Sequence, residues 1–257
     1  MVRLTYIGGP TALVELGGVR LLTDPTFDPA GTEYRAGAYV LRKTGSPALL
    51  PEALGTLDAV LLSHDHHFDN LDHAGRLMLP RAGRILTTLA GAARLGASAT
   101  GLVPWQWVDL PSRDGRPIRV TALPARHGPA AADRGPVIGF ALAFADEPAR
   151  AVYVSGDTVW FDQVAAIAAR LSVQVAILFM GAARVPEVGP AHLTFTAVEA
   201  LEAARAFSPA PIVPLHFEGW AHFTESRREI AQAFRAAGLE HRLRWLEPGR
   251  PTELESA

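Results

Sequence analysis

Within ten residues, Ser63 to Asp72, the chain places three histidines and three aspartates directly behind the apolar run Ala59-Val60-Leu61-Leu62. No packed core needs such a cluster. Imidazole nitrogens and carboxylate oxygens are ligands for borderline and hard divalent metals. Side chains two apart on an extended segment project to one side, where they can converge on one ion. A polar loop facing water would explain a single histidine there, but the density of the cluster argues for a metal site.

Three more residues of ligand type sit in a similar setting, each after an apolar, β-branched run and before a turn or a change of pattern. They are His127 after Ile118-Arg119-Val120-Thr121-Ala122-Leu123, Asp157 after Ala151-Val152-Tyr153-Val154-Ser155-Gly156, and His216 after Ile212-Val213-Pro214-Leu215. Strand ends are where rigid elements aim side chains into a shared cleft. Each alone reads as an ordinary structural polar residue; together and in this order they point to one site.

This order resembles the metallo-β-lactamase-fold hydrolases, whose ligand pattern is a His-x-His-x-Asp-His loop followed by a lone His, a lone Asp and a final lone His. The likeness covers nearly the whole chain. It is closest to the branch that includes the ascorbate-6-phosphate lactonase and the phospholipase-D-like members. The segments that carry it are Leu4-Thr5-Tyr6-Ile7-Gly8-Gly9-Pro10-Thr11, Leu22-Thr23-Asp24-Pro25, Tyr153-Val154-Ser155-Gly156-Asp157-Thr158 and Pro214-Leu215-His216-Phe217-Glu218-Gly219-Trp220.

The first motif departs from the family pattern. Without a gap, Asp65-His66-His67-Phe68-Asp69-Asn70 takes the place of His-x-His-x-Asp-His, so Asp65 and Asn70 replace imidazoles. A rival register keeps His64 and His66 as the paired histidines and needs one extra residue before Asp69. The gapless register is preferred, because an insertion between ligands would displace the loop by about 3 Å per residue. In it, His66 points away and His64 is an outer or alternative ligand.

The resemblance then implies Asp65, His67 and His127 at one metal position and Asp69, Asn70 and His216 at a second, with Asp157 bridging. Asp69 has a second possible role, orienting the attacking water and carrying its proton. His192, before a capped helix, resembles a family position near the metals and is a candidate for substrate binding. Asp24 could fix the tautomer of a ligand imidazole. Glu218, Trp220, His222, Phe223, Trp160 and Phe161 are candidate pocket walls, and Arg184 a candidate partner for a substrate anion.

At 257 residues the chain can form one large domain, 1–257, with a substantial core. A hydrophobic content of 49% against 19% charged residues places it among globular proteins. There is no cysteine, which excludes disulfides and thiolate ligands, so a metal must be held by nitrogen and oxygen. One or two divalent ions are expected, Zn²⁺, Mn²⁺ or Fe²⁺, with Mg²⁺ also compatible with so many oxygens. The start of the chain lacks a signal-like apolar segment, and no run approaches the roughly 18 residues of a membrane span. A cytoplasmic protein is expected, with homo-oligomerisation left open.

Strand-like runs at Arg3 to Ile7, Thr11 to Leu16 and Val19 to Thr23 surround a Gly17-Gly18 hairpin turn. Residues 28 to 56 show no period and form a candidate lid. Helices are expected over His73 to Leu79, Val159 to Leu171, Thr196 to Phe207 behind a Thr196/Glu199 capping box, and Glu225 to Ala237. Strands followed by alternating strands and helices suggest an α+β fold, and the resemblance makes it an αββα four-layer sandwich.

The expected activity is hydrolysis of an ester, lactone or phosphodiester in a small molecule, using a metal-activated hydroxide. An RNA-processing nuclease is a rival, but the net charge is -2 and the arginines are scattered, so a nucleic-acid partner is not expected. A non-catalytic metal-binding sensor is the other alternative, since losing imidazoles can empty a site. An oxygen-reducing di-iron role ranks below these, without a flavin domain or cysteine partner in this chain.

Overall fold

The computed structural model describes residues 1–255. The chain opens with β1 (Val2–Gly8), β2 (Thr11–Leu16) and β3 (Val19–Thr23), then a small hairpin of β4 (Glu33–Ala36) and β5 (Tyr39–Arg42). Next come β6 (Ala59–Leu61), α1 (His73–Met78), β7 (Ile85–Thr88), α2 (Leu89–Leu95) and β8 (Ala99–Leu102). The second half runs β9 (Trp107–Leu110), β10 (Ile118–Pro124), β11 (Ile138–Phe144), β12 (Arg150–Val154), α3 (Asp162–Ala165) and β13 (Ser172–Phe179). It closes with α4 (Ala197–Ala206), β14 (Ile212–Leu215), α5 (Arg227–Ala236) and β15 (Pro251–Leu254).

Two sheets form the centre. One has the strand order β15-β1-β2-β3-β6-β7-β8, the other β14-β13-β12-β11-β10-β9. Each has antiparallel pairs on one side and parallel ones on the other, the change falling at β3 in the first sheet and β12 in the second. The two-residue turn Gly17-Gly18, both at positive φ (54° and 74°), joins β2 to β3 as the sequence predicts.

The layers are sorted by which face of each strand is apolar. Leu4, Tyr6, Val14, Leu21, Leu61 and Leu86 from one sheet meet Val120, Phe140, Leu142, Val154, Ile177 and Val213 from the other in a continuous core. On the outer face of the first sheet, Ile7, Leu13, Leu22 and Leu62 pack with Met78 and Leu79 at the end of α1. On the outer face of the second, Tyr153, Ala176 and Leu178 are covered by Val164, Ile167, Ala200, Leu201, Ala204, Ile230 and Phe234 from the helices. The expected αββα sandwich is this arrangement.

Helix ends follow their caps. Thr196 and Glu199 form the reciprocal capping box that starts α4, and Ser226 with Glu229 does the same for α5. Asp72 starts α1 by accepting a bond from Gly75 N. The helix expected over Val159 to Leu171 is shorter, four residues of α3 followed by a 3-10 turn over Ala166–Ala169. Its expected first residues are engaged elsewhere, Val159 N donating to Arg126 O and Trp160 N to Glu199 Oε1, and Phe161 offers no capping group.

The aperiodic 28 to 56 segment is also more ordered than its composition suggests, since it contains the β4–β5 hairpin. Lys43, the only lysine in the chain, follows β5 and is buried with its ammonium 2.8 Å from Asp72 Oδ2. Among the described residues no helix is long and apolar enough to cross a membrane.

Candidate metal centre

The strands that feed the site run in the same direction, so their C-terminal ends share one edge. Asp24 follows β3, Ser63 and His64 follow β6, His127 follows β10, Asp157 follows β12 and His216 follows β14. Backbone constraints allow the close approach. Gly156 has φ 60°, and a Cβ there would lie 2.7 Å from Ile138 O and 2.8 Å from Ser63 Cβ. His216 itself adopts φ 53°, a left-handed conformation that costs a non-glycine residue about 1–3 kcal/mol. A bond from its N–H to Gly9 O, 2.9 Å, helps to hold it there.

The imidazoles converge. His67 Nδ1 lies 2.9 Å from His64 Nε2 and 3.0 Å from His127 Nε2. Asp157 Oδ2 faces the same group, 3.6 Å from His127 Nε2 and 4.0 Å from His64 Nε2. Its other oxygen is 2.9 Å from His216 Nδ1. His216 Nε2 in turn faces Asp69 Oδ2 at 3.6 Å, and His222 Nε2 is 3.0 Å from that same oxygen.

Neighbouring groups set the tautomers. Ser63 Oγ donates to Asp24 Oδ1 at 2.9 Å and is therefore free to accept from His64 Nδ1, also at 2.9 Å. His127 Nδ1 donates to Leu193 O at 3.0 Å. With the proton on Nδ1, both rings turn a bare Nε2 towards His67. His67 can donate one proton to one of them, so three imidazole nitrogens within 3.0 Å contacts lack the hydrogens to satisfy each other. A cation resolves this arrangement. Asp157 Oδ2, His216 Nε2 and both amide atoms of Asn70 are buried without a hydrogen-bond partner, as expected of groups reserved for an ion or its ligands.

Electrostatics follow the same geometry. Burial, reinforced by the neighbouring imidazoles, holds His64 and His67 well below the ordinary histidine range, which keeps them neutral and ligating. Burial pulls His216 down too, but the charge and hydrogen bond of Asp157 carry it above that range. Burial of Asp69 opposes ionisation and is outweighed by His222, His216 and His67, which hold its carboxyl below the usual range.

Of the residues singled out from the sequence, His64, His67, Asp69, His127, Asp157 and His216 come together. Asp65 does not join them. Its two oxygens are taken by Arg94, at 2.8 Å from Nε and 2.5 Å from Nη2, and it is His64 that faces the centre. The loop thus uses His64 from one sequence register and His67 from the other, while His66 stays close, one ring nitrogen of each of the three lying within 4.8 Å of the others. His66 Nε2 meets Arg134 O at 3.0 Å. Asn70 is buried beside Asp69 with its amide unpaired.

His192 is drawn to the start of α4, its Nε2 3.6 Å from Glu199 Oε2, and does not line the cavity at the centre. Asp24 supports His64 through Ser63 and not by direct contact. Arg184 is exposed. The partner of Asp69, His222, was legible only as one polar residue among several after His216.

A small cavity of about 20 Å³ opens on His67, Asp69, His127 and His222. Its other walls are Tyr39 and Leu41 from the β4–β5 hairpin, Ala183, Val185 and Leu193 from the segment after β13, and Arg134.

A profile of the beta-lactamase superfamily domain matches residues 19–217. The chain belongs to the metallo-β-lactamase-fold hydrolase superfamily. A metal-dependent hydrolase of Opitutus terrae is 28% identical over 98% of this chain and all of its own length. Among solved structures, an isothiocyanate hydrolase from gut bacteria of Delia radicum matches with a TM-score of 0.81 at 21% identity, covering 99% of this chain and 100% of that one. A metallo hydrolase from Ignicoccus hospitalis gives 0.69 at 23% identity, with 99% of both chains covered. At these identities the structural likenesses establish the superfamily's fold and carry no substrate.

Proposed function

We propose that this superfamily member hydrolyses an ester, lactone or phosphodiester bond in a small molecule with the help of one or two divalent ions. The observation that carries the reading is the convergence of His64, His127 and Asp157, with His67 in contact with both imidazoles, on one side and of Asp157, Asp69 and His216 on the other. Asp157 presents one oxygen to each group, which suits a carboxylate shared between two ions. Asn70, with no other partner, completes the second group. Such ions would supply Lewis acidity and lower the pKa of a water near the scissile bond.

The chain's own residues supply the rest. Asp69 is kept ionised and lines the cavity, where it can accept a proton from water and return it to the leaving group. His222 holds that carboxylate in place. Leu41, Ala183, Val185 and Leu193 exclude bulk solvent, which strengthens each charge interaction inside. The Opitutus relative is named only as a metal-dependent hydrolase, which does not select among these substrates. The weak net charge and the narrow cavity favour a small molecule over a nucleic acid.

The test is elemental analysis of protein purified without chelator, joined to a hydrolysis panel of lactones, aryl esters and phosphodiesters. Wild type should carry between one and two equivalents of metal and turn over at least one class. Asp157→Ala should lose both. Retained metal and turnover in that variant would remove the shared carboxylate from the reading, and metal-free wild type after incubation with Zn²⁺, Mn²⁺ and Fe²⁺ would defeat it.

A further inference from the structure

The cavity at the centre is lined by one permanent cation. Arg134 shares the lining with the apolar walls, while the other titratable lining groups are His67, Asp69, His127, His222 and Tyr39. Its backbone is bonded to His127 on one side and to His66 of the metal loop on the other. Arg134 N donates to His127 O at 2.9 Å, and Arg134 O meets His66 Nε2 at 3.0 Å. The root of this side chain therefore cannot drift relative to the centre.

The guanidinium is only loosely engaged. Arg134 Nη2 lies 3.4 Å from Glu187 Oε2, longer than the 2.7–2.9 Å of a good charge-assisted bond, and both side chains remain about a quarter exposed. Glu187 Oε1 also accepts from Ala38 N at 3.3 Å, at the tip of the β4–β5 hairpin. Tyr39 of that hairpin lines the same cavity as Arg134. The cavity that Arg134 and Tyr39 line holds about one water.

We propose that Arg134 is the specificity-determining residue of this site, and that the substrate carries an oxyanion, carboxylate or phosphate, which binds Arg134 in place of Glu187. The proposal rests on the hydrolase reading above and names the substrate class for the same site. A planar guanidinium matches a two-oxygen anion with two parallel bonds, which the single long Glu187 contact does not make. Displacing Glu187 releases its hold on Ala38, so the hairpin yields as the anion enters. The apolar walls then receive the carbon skeleton between the anion and the scissile bond.

The probe pair is glutarate and its monoamide, which differ by one charge at nearly constant shape. In calorimetric titration of metal-loaded wild type, glutarate should bind at least about tenfold tighter than the monoamide. Arg134→Gln should remove that preference with metal content unchanged, Arg134→Lys should restore part of it, and the exposed Arg184→Gln should leave it intact. Equal or absent binding of the two probes in wild type, or a preference that survives in Arg134→Gln, overturns the proposal. An Arg134-dependent preference in a protein that hydrolyses nothing would keep the anion site and remove the hydrolase reading. Hydrolysis that ignores substrate charge would do the reverse.

Discussion

Asp65 and Arg94 form a two-pronged ion pair, 2.8 Å and 2.5 Å, that draws the carboxylate of a metal-loop residue away from the metal centre. Asp65→Asn should therefore leave metal content unchanged. Arg94 is half exposed, so the pair is screened and its loss should lower stability by about 1 kcal/mol or less. His64→Ala should instead reduce metal content. Elemental analysis with urea unfolding separates the two, and loss of metal in Asp65→Asn would return that carboxylate to the ligand set.

Ser63 links Asp24 to His64 and keeps the His64 proton on Nδ1. Ser63→Ala removes the acceptor without touching a ligating atom. Metal affinity should fall by about tenfold, the lower end of what losing such a supporting bond costs. Competition with a coloured chelator reads this directly; an unchanged affinity would mean that packing alone orients the ring.

Stability of the chelated protein should decline on mild acidification. His64 and His67 are depressed by burial beneath the unfolded value of 6.5, so the unfolded chain binds more protons in that window. Their contribution is present above about pH 6.5 and is lost as pH falls below it. His216 is raised, so its contribution is present at low pH and lost as pH rises through its folded value. His216 changes its contribution only above pH 6.5, so below that point the lowered rings of His64, His66 and His67 are not offset by it and stability falls as the pH falls. Urea midpoints at pH 7.5 and 5.5, in chelator, should show it; equal midpoints would argue that these rings are already protonated in the folded protein.

Asp72 is buried and takes four donors: Phe27 N and Gly75 N on Oδ1, Asp28 N and Lys43 Nζ on Oδ2. Asp72→Ala strands a buried ammonium and uncaps α1, and should cost about 3–5 kcal/mol. Lys43→Met leaves Asp72 with three backbone partners and should cost clearly less. Thermal or urea unfolding of the two variants decides the order. Equal losses would mean that the ammonium, and not the backbone donors, governs this node.

The scaffold was legible because its signals are local. The apolar runs ending at Leu62, Leu123, Gly156 and Leu215 announce strands, and the residues after them announce the site. The capping boxes at Thr196 and Ser226 are equally local. The direction of side chains inside the Ser63–Asp72 loop was not legible, because it depends on Arg94, Ser63 and Arg134, partners distant in sequence or neutral in type. His192 shows the same limit. Its place before a capped helix suggested the site, while Glu199, part of that same cap, attracts its ring.

Every wall that would meet a substrate lies on segments outside the two large sheets: the hairpin at 33–42, the turn carrying Arg134, and the stretch from Ala183 to Leu193. The residues that gather at the metal centre stand at the ends of the sheet strands or in the Ser63–Asp72 loop that follows β6. Drift in the first set can therefore redirect which molecules are accepted while the reactive apparatus stays as it is. A lineage built on this plan changes its diet by editing loops, and keeps its chemistry by leaving the strand ends alone.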